Sequence, residues 1–330
     1  MKILITGAAG FIGSHLFDYL SKEHDVLGID NYSIGTYEHP GINNIDLYKE
    51  PDKVSSLVDE FKPDVLFHLA AWAHEGLSQF CPLRITENNY SAYLNVLVPC
   101  IRNKVKRVIC CSSMSVYGDQ EPPFNEDMEV KPEDIYAVSK VAMEEATKIL
   151  SRVYGFEHVI LRPHNVYGPR QSLSDPYRNV VAIFINCLLR DKPFYIYGDG
   201  EQRRAFSYID DITPYMAKCV SQDNVVGQAI NIGPLEDYSI NDLARAVLKA
   251  FKSDIKPIYL SDRPLEVKFA YSTNDKAIKL LGYKTSVNFE EGIKRMTEWA
   301  KKEGPKEPKY LDDLELESSN TPQTWKEKLI

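Results

Sequence analysis

Five short apolar and β-branched runs punctuate the first half of this chain: Lys2 to Thr6, Val26 to Asp30, Asp64 to Leu69, Arg107 to Cys111 and His158 to Leu161. Helix-length segments separate them, and in the first of these Ile12, Leu16, Tyr19 and Leu20 recur at helical spacing. Strands that are apolar on both faces belong in a parallel sheet covered by helices on either side. The pattern therefore predicts a doubly wound α/β fold.

After about residue 165 the pattern loosens. Pro163, Gly168, Pro169, Pro176 and Pro193 interrupt it, and the helical stretches are irregularly spaced. One late helix is clear: Ser239 reads as its N-cap, Asp242 follows at the third position, and Leu243, Val247, Leu248 and Phe251 share a face. From about Lys301 the chain is charged and broken by prolines, and it reads as a surface tail. The expected division is 1–165 for a nucleotide-binding domain whose sheet later segments help complete, 166–300 for a smaller mixed α/β substrate lobe, and 301–330 for the tail.

Gly7, Gly10 and Gly13 directly follow the first run and open the first helix. Glycines there allow a tight turn and let backbone N–H groups approach a pyrophosphate, which the positive helix N-terminus favours. The spacing alone also fits an ordinary strand–helix turn. Here it sits between a strand and a helix, and Asp30 ends the second strand 17 residues beyond Gly13. A carboxylate at that point accepts hydrogen bonds from ribose hydroxyls and repels a 2′-phosphate. Asn31, Tyr32 and Ser33 supply no cation to welcome one. The sequence thus reads as a Rossmann-type domain for NAD rather than NADP.

Composition narrows the partners. The 330 residues include 39 basic and 47 acidic ones, a formal charge of −8, which argues against nucleic acid or an anionic membrane as the main partner. The six cysteines form no C-x-x-C pair and have no histidine at ligand spacing, so reduced packing thiols are expected and no metal. No apolar stretch has the length of a bilayer span, and a strand begins almost at once where a signal peptide would lie. A cytoplasmic protein is the expectation.

Tyr136 and Lys140 lie four apart in a helical pattern running to Leu150, which places both on one face. A tyrosine serves as a base only if its phenolate is stabilised, and a neighbouring ammonium or a cationic nicotinamide does this. The spacing is also common on plain helix surfaces. Its position after the strand Arg107 to Cys111 and the polar run Ser112-Ser113-Met114-Ser115 gives it meaning, because a hydroxyl there reaches the same substrate oxygen.

Taken together, the motifs resemble the extended short-chain dehydrogenase/reductase family, in particular its nucleotide-sugar epimerase branch, over nearly the whole chain to about residue 300. The marks are Thr6-Gly7-x-x-Gly10-x-x-Gly13, His68-Leu69-Ala70-Ala71, Ser112-Ser113-x-x-Val116-Tyr117-Gly118, Tyr136-x-x-x-Lys140, and Gly198-Asp199-Gly200-x-Gln202-x-Arg204-x-Phe206-x-Tyr208-x-Asp210-Asp211. The resemblance implies Tyr136 as base, Lys140 as the group that lowers its pKa and holds the nicotinamide ribose, and Ser113 as the residue orienting the reacting hydroxyl. It implies a cofactor site formed by Gly7, Gly10, Phe11, Ile12, Gly13, Asp30, Asn31, Asp46 against adenine, Leu47, Leu69, Ala70, Ala71, Asn89, Ser112 and Pro163, with Tyr136 and Lys140. For the substrate it implies Ser113, Met114 and Tyr136 near the sugar, Asn165, Arg204 and Arg263 near a diphosphate, Tyr197 near the base, Glu266 at the ribose, and Asn179 and Val180 among the other substrate-binding residues. Guanidinium suits phosphate because its planar fork binds oxygens in pairs.

The resemblance also narrows the reaction. Related 4,6-dehydratases carry Asp-Glu just before Val-Tyr-Gly, and sugar-acid decarboxylases tend to carry a Glu there. This chain has Met114 and Ser115. The related reductases generally use NADPH, against Asp30. What remains is epimerisation of a nucleotide hexose, a UDP-hexose by likeness, at C4 through a transient ketone. Other readings are a reductase or other-carbon epimerase acting on a nucleotide keto- or deoxy-sugar, and a non-catalytic nucleotide-binding protein. Glu75 and Gly76 depart from the apolar residues of many relatives, and Met114 replaces a small one. Ala270 falls where bulk around C2 is gated, and a small residue there leaves room for an N-acetyl group. The Tyr136 helix and the helix including Tyr93, Leu94 and Leu97 resemble the pair that forms an intersubunit four-helix bundle, which implies a homodimer. His15 and His164 read as helix-surface and loop residues, and Cys187 as helix core.

Overall fold

The computed structural model describes residues 1–262 and 267–330. Seven strands form the central sheet: β1 (Lys2–Thr6), β2 (Asp25–Asp30), β3 (Ile42–Asn44), β4 (Val65–His68), β5 (Arg107–Cys111), β6 (Glu157–Pro163) and β7 (Ala229–Ile232). Their order is β7-β6-β5-β4-β1-β2-β3, and every pairing is parallel. The α/β doubly wound fold is therefore as the apolar runs predict. β3 and β7 were not legible, because one has three residues and the other follows irregular chain.

Alternate residues of each strand enter opposite layers. Ile3, Ile5, Phe67, Ile109 and Leu161 pack with Leu16 and Phe17 on one side, while Leu4, Leu66, Val108 and Cys110 pack with Val54, Val58, Val96 and Met143 on the other. The strand order reverses between β1 and β4, and ligands of such sheets bind in the crevice beyond the carboxyl ends there. The chain leaves those ends through the glycine turn, Leu69 to Ala71, and Ser112-Ser113.

Smaller pairings build the second part. Arg203–Ala205 pairs antiparallel with Asp237–Ser239 and parallel with Phe269–Ala270, and Tyr195–Tyr197 pairs with Ile258–Leu260. The late helix spans Ile240–Phe251, with Ser239 and Asp242 forming a reciprocal capping box.

One expectation changes. The stretch beyond the helix Phe289–Glu303 is more than a surface tail: Thr321, Thr324, Trp325 and Ile330 are buried against the rest of the molecule. Its few apolar residues, diluted by charge in sequence, are gathered on one side by folding. His164 is fully buried, bonded to Ser272, and burial lowers its pKa to about 4. Tyr93 and Leu97 face the core, Leu94 and Ile101 pack partly against it, and Val98 is exposed on the helix Ala92–Arg102. All six cysteines are buried free thiols.

Candidate active site

Two cavities follow the carboxyl ends of the strands. The smaller, about 110 Å³, is lined by Asp30, Asn31, Asp46, Leu47, Leu69, Ala70 and Ala71. The larger, about 400 Å³, runs from Gly7, Phe11, Ile12 and Gly13 past Ser112, Ser113, Tyr136, Lys140 and Pro163 to Asn165, Asn179, Val180, Tyr197 and Arg204.

Close approach enforces the glycine turn. Gly7 has φ +71°, and a Cβ there would lie 2.7 Å from the Ala70 amide nitrogen; one on Gly13 would lie 1.9 Å from the Gly7 carbonyl oxygen. No side chain caps Gly10 at the start of the helix Phe11–Leu20, so that positive terminus opens on the cavity. The buried Asp30 carboxylate accepts hydrogen bonds from the Ala9 and Tyr32 amides at 3.0 and 2.8 Å, which fixes its orientation. Burial raises its pKa while these amides oppose the rise. Asp46 accepts from the Asn31 side chain and from the Tyr48 and Lys49 amides, and these bonds outweigh burial to lower its pKa. This cradle fits a dinucleotide: an open helix terminus for the pyrophosphate, and a fixed carboxylate with lone pairs to spare for the ribose. Asn89 does not reach either cavity. It is fully buried, with its amide engaged by Trp72 and Ser139.

Tyr136 and Lys140 sit in the first turns of the helix Ile135–Tyr154, capped by Asp134, whose carboxylate accepts from the Ala137 amide at 2.7 Å. Lys140 is buried, donates to the Cys111 carbonyl at 2.8 Å, and holds its Nζ 5.6 Å from the centre of the Tyr136 ring. Burial lowers the lysine's pKa and pushes that of Tyr136 well up. The first influence opposing that rise is Arg178, with a contribution from the Ser113 hydroxyl. Ser113 lies just past β5, and its oxygen accepts from the Ser115 amide at 3.1 Å. The Ser112 hydroxyl is turned away, donating to Glu144 at 2.6 Å.

Among the other residues expected to meet a substrate, the Asn165 amide donates to the Ala205 carbonyl, and Asn179 caps the helix Val180–Leu189. Arg204 donates to the Arg203 and Lys268 carbonyls, and the Tyr197 hydroxyl pairs with Thr324. Arg263 and Glu266 lie outside the described residues.

Sequence reasoning missed Arg178. Its guanidinium lines the larger cavity and makes no hydrogen bond or ion pair among the described residues. The one available signal was a cation just before the polar N-cap of an apolar helix.

Asp134 was also missed. Burial first, and then Glu75, push its pKa up to about 7. Its carboxyl is thus protonated in the folded protein, and ionised in the unfolded chain, between about pH 4 and 7. Stability from this group is present below that window and is lost as pH rises through about 7. Asp134→Asn keeps a capping side chain, and its unfolding midpoint should fall less than the wild type's between about pH 5 and about pH 8. Parallel curves would rule out the raised pKa.

Comparison with known proteins agrees with this geometry. A putative UDP-glucose 4-epimerase of Methanocaldococcus jannaschii is 33% identical over 308 residues, covering 91% of this chain and 98% of that protein. A UDP-N-acetyl-alpha-D-glucosaminuronate decarboxylase of Bacillus cytotoxicus is 30% identical, covering 90% of this chain and 97% of the relative. The crystal structure of UDP-glucuronic acid 4-epimerase from Bacillus cereus, in complex with UDP-glucuronic acid and NAD, superposes with a TM-score of 0.84 at 31% identity, over 92% of this chain and 99% of the other. The model of the NAD dependent epimerase/dehydratase family matches residues 3–233, a span that takes in the glycine turn, Ser113 and the whole Tyr136 helix. This chain belongs to that family.

Proposed function

We propose that this protein interconverts nucleotide hexoses, UDP-hexoses in the first instance, at C4 through a transient 4-ketone, with NAD retained in the site. The observation that carries the reading lies at the end of β5. Ser113 and Tyr136 line one cavity, while Met114 and Ser115 stand where a dehydratase or decarboxylase needs carboxylates.

Tyr136 takes the proton from the C4 hydroxyl and later returns one, and Ser113 holds the same oxygen in line. NAD, when bound, supplies the hydride acceptor and donor for C4. Lys140 and Arg178 favour the phenolate that the first proton transfer needs. Asp30, followed by Asn31, Tyr32 and Ser33 rather than a cation, selects NAD. Arg204, Asn165 and Asn179 border the part of the cleft assigned to the diphosphate, and Arg263 and Glu266 are proposed to join them. Dimerisation belongs to the same reading. Val98, Val138 and Ile149 are exposed on the two helices expected to pair, Ala92–Arg102 and Ile135–Tyr154. Among the described residues no helix is long and apolar enough to cross a membrane.

Arg178 favours a second reading of the sugar: its unpaired cation near Tyr136 suits a carboxylate at C5. Proton NMR of the purified protein with UDP-glucose, UDP-galactose, UDP-N-acetylglucosamine and UDP-glucuronate, without added cofactor, tests both. Anomeric signals of a C4 epimer are expected. Turnover of the uronate alone would select the second reading, and net consumption of added NADH with no epimer would replace the epimerase by a reductase.

A further inference from the structure

The segment beyond Glu303 runs across the mouth of the cleft and is fastened to both sides of it. On the side of the nucleotide-binding domain the Glu315 carboxylate accepts from the Leu83 and Arg84 amides at 2.7 and 2.9 Å, and the Leu316 amide donates to the Phe80 carbonyl at 3.0 Å. On the other side the Lys309 amide donates to the Ser174 carbonyl at 2.8 Å, the Leu311 amide to the Tyr177 hydroxyl at 2.9 Å, and Thr324 pairs with the Tyr197 hydroxyl at 2.8 Å.

These attachments bring Trp325 into the cleft. Its indole meets Phe80 and Tyr177 edge-on, with ring centres 5.9 and 5.2 Å apart. It also lies over Gly76, where a Cβ would come within 3.4 Å of the indole. The departure at Gly76 thus has a physical partner: a Cβ there would rest in van der Waals contact with the indole.

The position of the indole has a consequence for the sugar. Beside the cavity that holds Ser113, Tyr136 and Lys140 lies another of about 140 Å³, reached by Ala270, Phe124 and Ser115. Trp325 lines both, together with Glu75, Gly76, Met114, Asn165 and Arg204. Its indole is the largest side chain of the wall that these two spaces share.

We propose that the C-terminal segment is part of the sugar-binding site, and that the Trp325 indole limits the bulk a sugar can carry toward Ala270. The inference rests on the nucleotide-sugar reading above. Trimming this wall merges the two spaces, and a sugar bearing an acetamido group gains room that a plain hexose does not use. Discrimination by bulk of this kind is worth about tenfold or more per missing group.

The test is calorimetric titration of the NAD-loaded full chain with UDP, UDP-glucose and UDP-N-acetylglucosamine, which requires no turnover. Trp325→Ala should shift the ratio of dissociation constants about tenfold toward the acetylated sugar and leave UDP binding unchanged. Trp325→Phe, which keeps an aromatic wall, should behave as the wild type. If Trp325→Ala fails to fold, Trp325→Leu is read instead, with a smaller shift in the same direction. A ratio that does not move, or equal weakening of both sugars, gives Trp325 a purely structural role and overturns the proposal. Failure of the wild type to bind UDP at all would remove the nucleotide-sugar reading, and this inference with it.

Discussion

Tyr136→Phe should lower kcat about a thousandfold, the middle of the range for a lost general acid–base group, while the unfolding midpoint stays as in the wild type. Phenylalanine keeps the ring that packs beside Lys140, and the lysine's bond to the Cys111 carbonyl does not involve the missing hydroxyl. The loss should appear in kcat more than in KM, since the phenol exchanges its proton in the transition state and contributes little to binding the nucleotide half. A variant that keeps activity within about tenfold would place the base elsewhere.

The second large effect is on folding. Glu144 lies one turn beyond Lys140 on the same helix and forms a buried ion pair with Arg162 of β6 at 2.6 Å, with side-chain exposures of 1% and 3%. The Glu144 carboxylate also accepts from the Arg162 Nε and from Ser112, and Arg162 donates to the Tyr117 hydroxyl at 2.8 Å. Burial works against the Arg162 charge, but its bonds to Glu144 outweigh this and hold the pKa above its ordinary value. Removing one partner of such a pair strands the other charge, at a cost of about 3–5 kcal/mol. Glu144→Ala should therefore lose stability on that scale in urea unfolding. Glu144→Leu with Arg162→Met should recover much of it, because replacing both charges by apolar groups is often close to neutral. A double variant no more stable than Glu144→Ala would show that the polar network, rather than charge compensation, holds the Tyr136 helix against the sheet.

The alternation of apolar runs with helix-length segments was enough for the doubly wound sheet, because burial of both strand faces leaves few other architectures. The glycine turn, Asp30 and the Tyr136–Lys140 pair were legible for a similar reason. Each depends on local chain geometry: a turn that no Cβ can enter, a residue at a strand end, two side chains one helical turn apart. The influence on the Tyr136 pKa was legible only in part. The sequence offered Lys140, four residues away, while the largest opposing charge in the folded chain is Arg178, brought beside Tyr136 by an irregular loop.

What residues 1 to 330 determined by themselves was therefore the sheet, the glycine turn and the Tyr136 helix, whose signals lie within a strand, a turn or a helix. Tertiary structure alone decided the walls of the larger cavity. Trp325 sits in a stretch whose charges and prolines read as solvent-exposed, and nothing local reveals that it meets Gly76 and Phe80 about 250 residues earlier. Asn89 was expected at the cofactor by resemblance and instead spends its hydrogen bonds on Trp72 and Ser139. Which way a side chain faces, and which distant segment closes over it, depends on long-range packing that short-range spacing does not encode.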